Sequence, residues 1–341
     1  MPQKRFLLVL CLPLIMMYQC HKGAPNKPDS GGCWTPQNNG LLCLQIRDIA
    51  IDINDSKQIW VATAQGIYKS SNGSQSWAEK NIGLTKLDIT DIEIVPPDGR
   101  IILAGSWGGG IFMSDNRGES WMPMNNGLDD PRVFMIRATY EANPSYYAAT
   151  ETGLYKWTSH LGKWEKLLIP GAGGPTTCIA IQKNNSNEIY AGVKYTGIFK
   201  SIDGGVSWER KDNGLPWSTE GAFATPTAIH IDPINDQLLI MTAGWSGLYI
   251  SANAGTSWEK VSALPGGYEL KCLAICPSEP ENIFIGTTSG VLWSKDDGNS
   301  WEVLNDGLTN LDVRALAIDP KDPRIIYAGT MGGGVFKYVR D

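Results

Sequence analysis

Ser294-Lys295-Asp296-Asp297-Gly298-Asn299-Ser300-Trp301 decides the fold, because its spelling returns along the chain at one spacing. Ser251 to Trp258, Ser201 to Trp208 and Ser114 to Trp121 repeat it as Ser-x-Asx-x-Gly-x-Ser-Trp, and Ser70 to Trp77 does so with Ser74 in the glycine's place. Asp29-Ser30-Gly31-Gly32-Cys33-Trp34 is a partial copy, and before Trp164 the pattern has decayed to Trp157, Ser159, Leu161 and Lys163. Counting outward, Trp34, Trp77, Trp121, Trp164, Trp208, Trp258 and Trp301 lie 43, 44, 43, 44, 50 and 43 residues apart. A period near 43 is that of a repeat built from one supersecondary unit.

Each unit reads as Trp, a turn often spelled Asn-x-Gly-Leu, an alternating strand, a polar turn, a second strand, a glycine hairpin and a third strand. In the last unit these are Val313 to Ile318, Asp319 to Arg324, Ile325 to Gly329, Met331 to Gly334 and Val335 to Tyr338. Period-two alternation without helical periodicity makes the chain all-β, and about four short strands per unit are a propeller blade. Seven units predict a single seven-bladed β-propeller. The last unit stops after its third strand while the first begins with a lone strand at Cys33 to Pro36. The N-terminal strand is therefore expected to complete the last blade and remove both open edges.

The repeated turn resembles the Asp-box, or BNR repeat, over residues 29 to 341. Sialidases contain such boxes, which makes catalytic carboxylates a tempting reading. Half of the six recognisable boxes carry Asn at the Asx position, however, and an amide cannot act as a general acid although it caps a turn equally well. The boxes read as fold staples, with the tryptophan filling the layer between blades.

The resemblance admits several activities. Sialidase-like chains carry an Arg-Ile-Pro motif, which this sequence lacks. Xyloglucanases resemble the repeat style more closely, but pair two propellers and place a catalytic Asp in the hairpin between second and third strands. Here those hairpins read Ala64-Gln65, Ser106-Trp107, Glu151-Thr152, Lys194-Tyr195, Gly244-Trp245, Thr288-Ser289 and Met331-Gly332, with Glu151 the one acid. Glycoside hydrolysis normally needs two carboxylates. Sortilin-type propellers have ten blades; photosystem II assembly factors match in blade number and length. The expectation is a non-catalytic binding or scaffold module for a glycan or protein partner, and the competing one is a glycoside hydrolase acting on polysaccharide.

Ligands of propellers usually sit on the face holding those hairpins, opposite the boxes. Trp107, Tyr195 and Trp245 stand there where no packing pattern calls for a ring, and the longest unit inserts its extra residues in Leu215 to Thr227, with Trp217, Glu220 and Phe223. Flat rings anchor sugar faces or protein partners. Aligned inner strands place Arg47, Lys271 and Arg314 at one position in neighbouring blades. Asp48 and Asp91 lie one position along, and Glu93 and His230 further in, against Ala50, Ala138, Ala180, Ala274 and Ala317. This charged channel mouth reads either as an anion site or as charge pairing that solvates the tunnel.

The N-terminus carries an address. Lys4 and Arg5 precede an apolar run from Phe6 to Met17, the order of a secretory signal at residues 1 to 19 and too short to span a bilayer comfortably. Residues 20 to 32 form a polar tether, and Cys20 is a candidate lipidation site by resemblance to bacterial lipoproteins, though Tyr18 and Gln19 depart from their small residues. Residues 33 to 341 are the propeller. Loss of the signal would move the formal charge from −6 to −8. The expectation is export to the cell envelope or surface as a lipoprotein, with membrane contact only through the lipid, and the alternative is an ordinary secreted protein with Cys20 free or disulfide-bonded.

Composition narrows the partners. Charged residues make up 19% of the chain with 35 acids against 29 bases and no basic block, so no nucleic-acid partner is expected. Three histidines and seven scattered cysteines without CxxC or HxxxH point to no metal and no cofactor. Cys33 and Cys43 are the expected disulfide; Cys272 and Cys276, about 13 Å apart along one strand at 3.3 Å per residue, cannot pair with each other.

Overall fold

A computed structural model describes residues 32–216 and 225–341. They form seven four-stranded antiparallel sheets arranged as a seven-bladed β-propeller. Blade 1 comprises Ile46–Ile51, Ile59–Thr63, Gly66–Ser70 and Ala78–Glu79, from the centre outward, and five more blades follow in chain order. In blade 7, Val313–Ile318, Ile325–Thr330 and Gly334–Val339 are completed by Thr35–Pro36, paired as Thr35↔Lys337 and Pro36↔Phe336. The closing strand is thus shorter than the sequence suggested. Each inner strand packs between those of its two neighbours, so the ring is continuous.

Burial explains the strand spellings. Second strands such as Ile59–Thr63 and Ile189–Val193 are buried along their whole length, because a neighbouring blade covers each face; they read as unbroken apolar runs. The two-residue outer strands are exposed and polar or proline-bearing.

The repeated turn spends its polar groups on itself. Ser114 Oγ donates to Asn116 Oδ1 (2.8 Å) and accepts the Gly118 amide (2.8 Å), while Asn116 Oδ1 accepts the Ser120 amide (3.0 Å) and Nδ2 donates to Ser120 Oγ (2.8 Å). With aspartate, the Ser300 hydroxyl turns round and donates to Asp296 Oδ2 (2.6 Å), so acid and amide do the same work. Hydrogen bonds from Ser207 hold the Asp203 carboxyl down at about 2. Two successive left-handed residues, such as Arg117 (φ 60°) and Gly118 (φ 81°), bend the backbone around this network.

Asn-x-Gly-Leu locks each blade to the next. Asn125 Oδ1 accepts the Ile111 amide (2.7 Å) and its Nδ2 donates to Gly109 O (2.9 Å), closing the hairpin of its own blade. The glycine then lets the next tryptophan approach: a Cβ on Gly127 would stand 2.3 Å from Trp164 O, and the Trp164 indole donates to Met124 O (2.7 Å). At the seam, Asn38 caps the Gly333–Val335 hairpin, Gly307 lies against Trp34, and the Trp34 indole donates to Leu304 O (2.7 Å). Two units lack the motif, reading Leu168-Ile169-Pro170-Gly171 and Ser262-Ala263-Leu264-Pro265. The tryptophans they should receive, Trp208 and Trp301, are only half-buried and bond back to their own turns at Gly205 O and Gly298 O.

One expectation fails. Cys33 is disulfide-bonded, but Cys43 is a free thiol buried with Leu41, Ile46 and Tyr68 between blades 7 and 1, so the two do not pair. The side chain serves that apolar layer instead. Cys272 and Cys276 are not paired with each other, as their spacing along one strand requires, and both are free thiols.

Candidate functional site

Hairpins between second and third strands share one face with the loops leading into the inner strands: Trp107 N donates to Asp88 O (2.8 Å) and Gly66 N to Leu87 O (2.6 Å). On the opposite face the Ser-x-Asx turns meet the loops between first and second strands, as in Gly73 N to Lys57 O (3.1 Å).

Three rings stand on the hairpin face with different degrees of support. Trp107 is 41% exposed, its ring 5.4 Å from Phe134 and 5.9 Å from the Arg132 guanidinium, so one side packs against blade 3. Trp245 is 69% exposed, and among the described residues no ring contact involves it. Tyr195 is 55% exposed at φ 63°, a left-handed conformation that blades 2 and 7 give to Gly108 and Gly332 at the same hairpin position. Only its neighbour Lys194 lies over the ring, at 4.8 Å. A bulky side chain there is strained. Trp217, Glu220 and Phe223 fall outside the described residues.

The basic residues near the channel mouth each have a carboxylate partner. Arg47 reaches Asp88 (2.8 Å), Lys271 reaches Glu269 (2.6 Å), and Arg314 holds Asp312 through two bonds of 2.6 and 2.7 Å. Arg132, which the sequence reading passed over, grips Asp130 in the same way and lies 4.0 Å from Glu151.

Deeper in, the structure corrects the alignment by one residue. The ring position of Ala50 and Glu93 is filled in blade 3 by Arg137, paired to Tyr147 as Glu93 is to Leu103, and not by Ala138. The β-bulge that opens the inner strand of every blade but the fifth makes counting from the apolar residues slip; counting sixteen residues from each box tryptophan, blade 5 excepted, finds the position. Arg137 Nη1 lies 3.3 Å from Asp91 and 3.6 Å from Glu93. Each acid also reaches across to the next blade. Asp48 accepts the Ile92 amide (3.0 Å), Asp91 the Ile136 amide (2.8 Å) and Glu93 the Ala138 amide (3.0 Å). Neighbouring inner strands do not pair with one another, so these carboxylates supply acceptors that a sheet would otherwise provide.

Enclosure by protein sets the electrostatics. Burial, reinforced by Asp91, pushes the Asp48 carboxyl up to about 7; burial likewise lifts Glu93 to about 7 against the pull of Arg137. Burial first, and Arg137 second, lower His230 to about 4, so it is neutral at neutral pH. Among the described residues no cluster of His, Cys, Asp and Glu is arranged to hold a metal ion.

No known family profile and no curated protein matches the chain. Solved structures do. A GH74 xyloglucanase from Xanthomonas campestris superposes with a TM-score of 0.67 at 17% identity, covering 91% of this chain and 54% of the enzyme. YCF48 bound to D1 peptide gives 0.68 at 16% identity, covering 94% of this chain and 100% of that one. The extracellular domain of a one-component system from B. thetaiotaomicron gives 0.72 at 16%, covering 89% and 40%. The chain therefore spans about half of the xyloglucanase and two-fifths of that extracellular domain. At these identities the likeness is one of fold.

Proposed function

We propose that this chain is an exported, lipid-anchored Asp-box propeller that works as a non-catalytic binding or scaffold module, taking a glycan or protein partner on its hairpin face. The observation that carries this reading is the pair of exposed rings on adjacent blades, Tyr195 and Trp245, which the fold does not use. Its neighbours in fold include a xyloglucanase, a protein seen with a peptide, and the extracellular domain of a one-component system, so partners of both classes suit the architecture. Hydrolysis is the weaker reading, because its two carboxylates must stand free roughly 5 to 9.5 Å apart. The one hairpin acid, Glu151, lies beside Arg132, and the channel acids are engaged by backbone amides. What favours it is the lift of Asp48 and Glu93 to about 7, the range of a general acid.

A glycan array and an envelope pull-down, run on wild type and Trp245→Ala, test the proposal. Truncating an aromatic anchor costs about 1–3 kcal/mol, a loss of binding of about fivefold to 150-fold, with folding unchanged. Equal binding by the two proteins would remove the hairpin face from consideration. Polysaccharide cleavage that is lost in Glu93→Gln would establish the hydrolase instead. Release of Cys20→Ala from the membrane fraction tests the anchor; retention there, with no acyl mass on the wild-type N-terminus, would refute it.

A further inference from the structure

Blade 2 breaks the repeat in a way the hairpin face does not explain. Its third and outer strands, Gly110–Ser114 and Met122–Pro123, pair Met113 with Met122, and Met124 follows two residues on, facing the same side. The equivalent cross-strand pairs in blades 3 and 4 are Lys156↔Glu165 and Lys200↔Glu209. Those lysines lie over Tyr147 and Tyr190 and their partners are charged, as an outer surface requires. Met122 is 50% exposed, so burial gives little reason for an apolar residue there.

All three methionines line one cavity of about 470 Å3 at the junction with blade 3. Trp157 and Tyr146 line it from the other side. Trp157 occupies the place that other blades give to the first serine of the turn, such as Ser114, and meets Trp164 edge-on at 5.5 Å. The repeat is therefore altered on both walls of the same cavity. Its amides are already committed: Asn125 bonds Ile111 N and Gly109 O, and Asn126 donates to Gly162 O (2.8 Å). No carboxylate or imidazole lines it. Besides the Ser159 hydroxyl and Tyr146, what it offers a ligand is thioether sulfur and the face of an indole.

From this donor set we propose a binding site for a soft monovalent metal ion, Cu(I) in chemical class, held by the thioethers of Met113, Met122 and Met124 with Trp157 beside it. Thioethers select Cu(I) over hard cations, which demand oxygen ligands. An indole face adds attraction for a desolvated cation. Methionine's three rotatable bonds let sulfurs from two strands turn toward one centre. No electron transfer is involved; the ion binds and leaves in one oxidation state.

Methyl-13C methionine NMR of the full chain with Ag(I), a redox-inert probe of the same softness, tests this directly. Among nine methionines, the methyls of Met113, Met122 and Met124 should shift together and saturate at one ion per chain, with quenching of indole fluorescence. Met113→Leu with Met122→Leu, near in volume, should abolish the shift of the Met124 methyl while leaving the melting temperature within a degree or two of wild type. Silver on a buried thiol such as Cys43 would not imitate that readout. If the three methyls stay still in a large excess of silver, or the Met124 shift survives the double substitution, the proposal fails. It also fails if an apolar probe moves the three methyls and silver does not, which would make the cavity a greasy pocket. Should the double variant not fold, Met122→Leu alone, at the half-exposed position, carries the same test.

Discussion

Arg137→Met is the most informative single change in the channel. It removes the cation that lies 3.3 Å from Asp91 and 3.6 Å from Glu93 while keeping a side chain of similar length. Breaking a dry buried ion pair costs about 3–5 kcal/mol because a charge is left uncompensated. The Arg137 side chain is 31% exposed along the channel, so a loss of about 2–3 kcal/mol at pH 8 is the better figure. The sign with pH follows from the raised carboxyls. An acid whose folded pKa exceeds its unfolded value stabilises the fold fully below the unfolded pKa and loses that contribution as pH climbs to the folded one. For Asp48 and Glu93 that window runs from about 4 to about 7 with arginine present, and its upper end rises without it. At pH 5 Asp48 and Glu93 are protonated in both folded proteins, leaving mainly the lost bonds to Ile136 O and Asp91, about 1–2 kcal/mol. His230, lowered to about 4, opposes this in both proteins as pH falls below 6.5. Thermal unfolding of the two proteins at each pH should thus show a deficit about 1–3 °C larger at pH 8 than at pH 5. Equal deficits would mean that Arg137 acts by packing and that the carboxylates do not depend on it.

Gly307→Ala should cost about 3 kcal/mol or more in denaturant unfolding, since the new Cβ would lie 2.1 Å from Trp34 O at the ring seam. Gly171→Ala, left-handed at φ 74° but with open space around it, should cost only about 1–2 kcal/mol, and equal losses would contradict the seam argument. Asn116→Ala should lose about 1–2 kcal/mol through its turn network while Asn116→Asp stays near wild type; a large loss in the aspartate variant would refute the equivalence of acid and amide. Tyr195→Gly should hold stability or raise it by up to about 1 kcal/mol while weakening partner binding, and a clear drop in melting temperature would return Tyr195 to the fold.

Much of the fold was legible because the unit that repeats is also the unit that packs. The tryptophan, the Ser-x-Asx turn and Asn-x-Gly-Leu each carry a local physical duty, and ring closure follows from where the last unit stops. The same locality explains the misses. Cys43 was paired by proximity to Cys33, yet its side chain belongs to a layer built with Val335 from the far end of the chain. Arg137 was hidden by a bulge, where a slip of one residue exchanges the faces of a strand. Its neighbours Asp91 and Glu93 come from the preceding blade, a proximity that the packing of successive inner strands creates. Trp107 shares the hairpin face with Trp245, but Phe134 and Arg132 of the next blade stand beside its ring, contacts that its place in the repeat does not reveal. A repeat thus offers an internal control: where seven units solve one packing problem alike, a residue serving the fold keeps to the shared solution. Tyr195 in a glycine's conformation and Met122 in a charge's place both depart from it without a packing reason, and such departures are where a function can be written into a propeller at little cost to its stability.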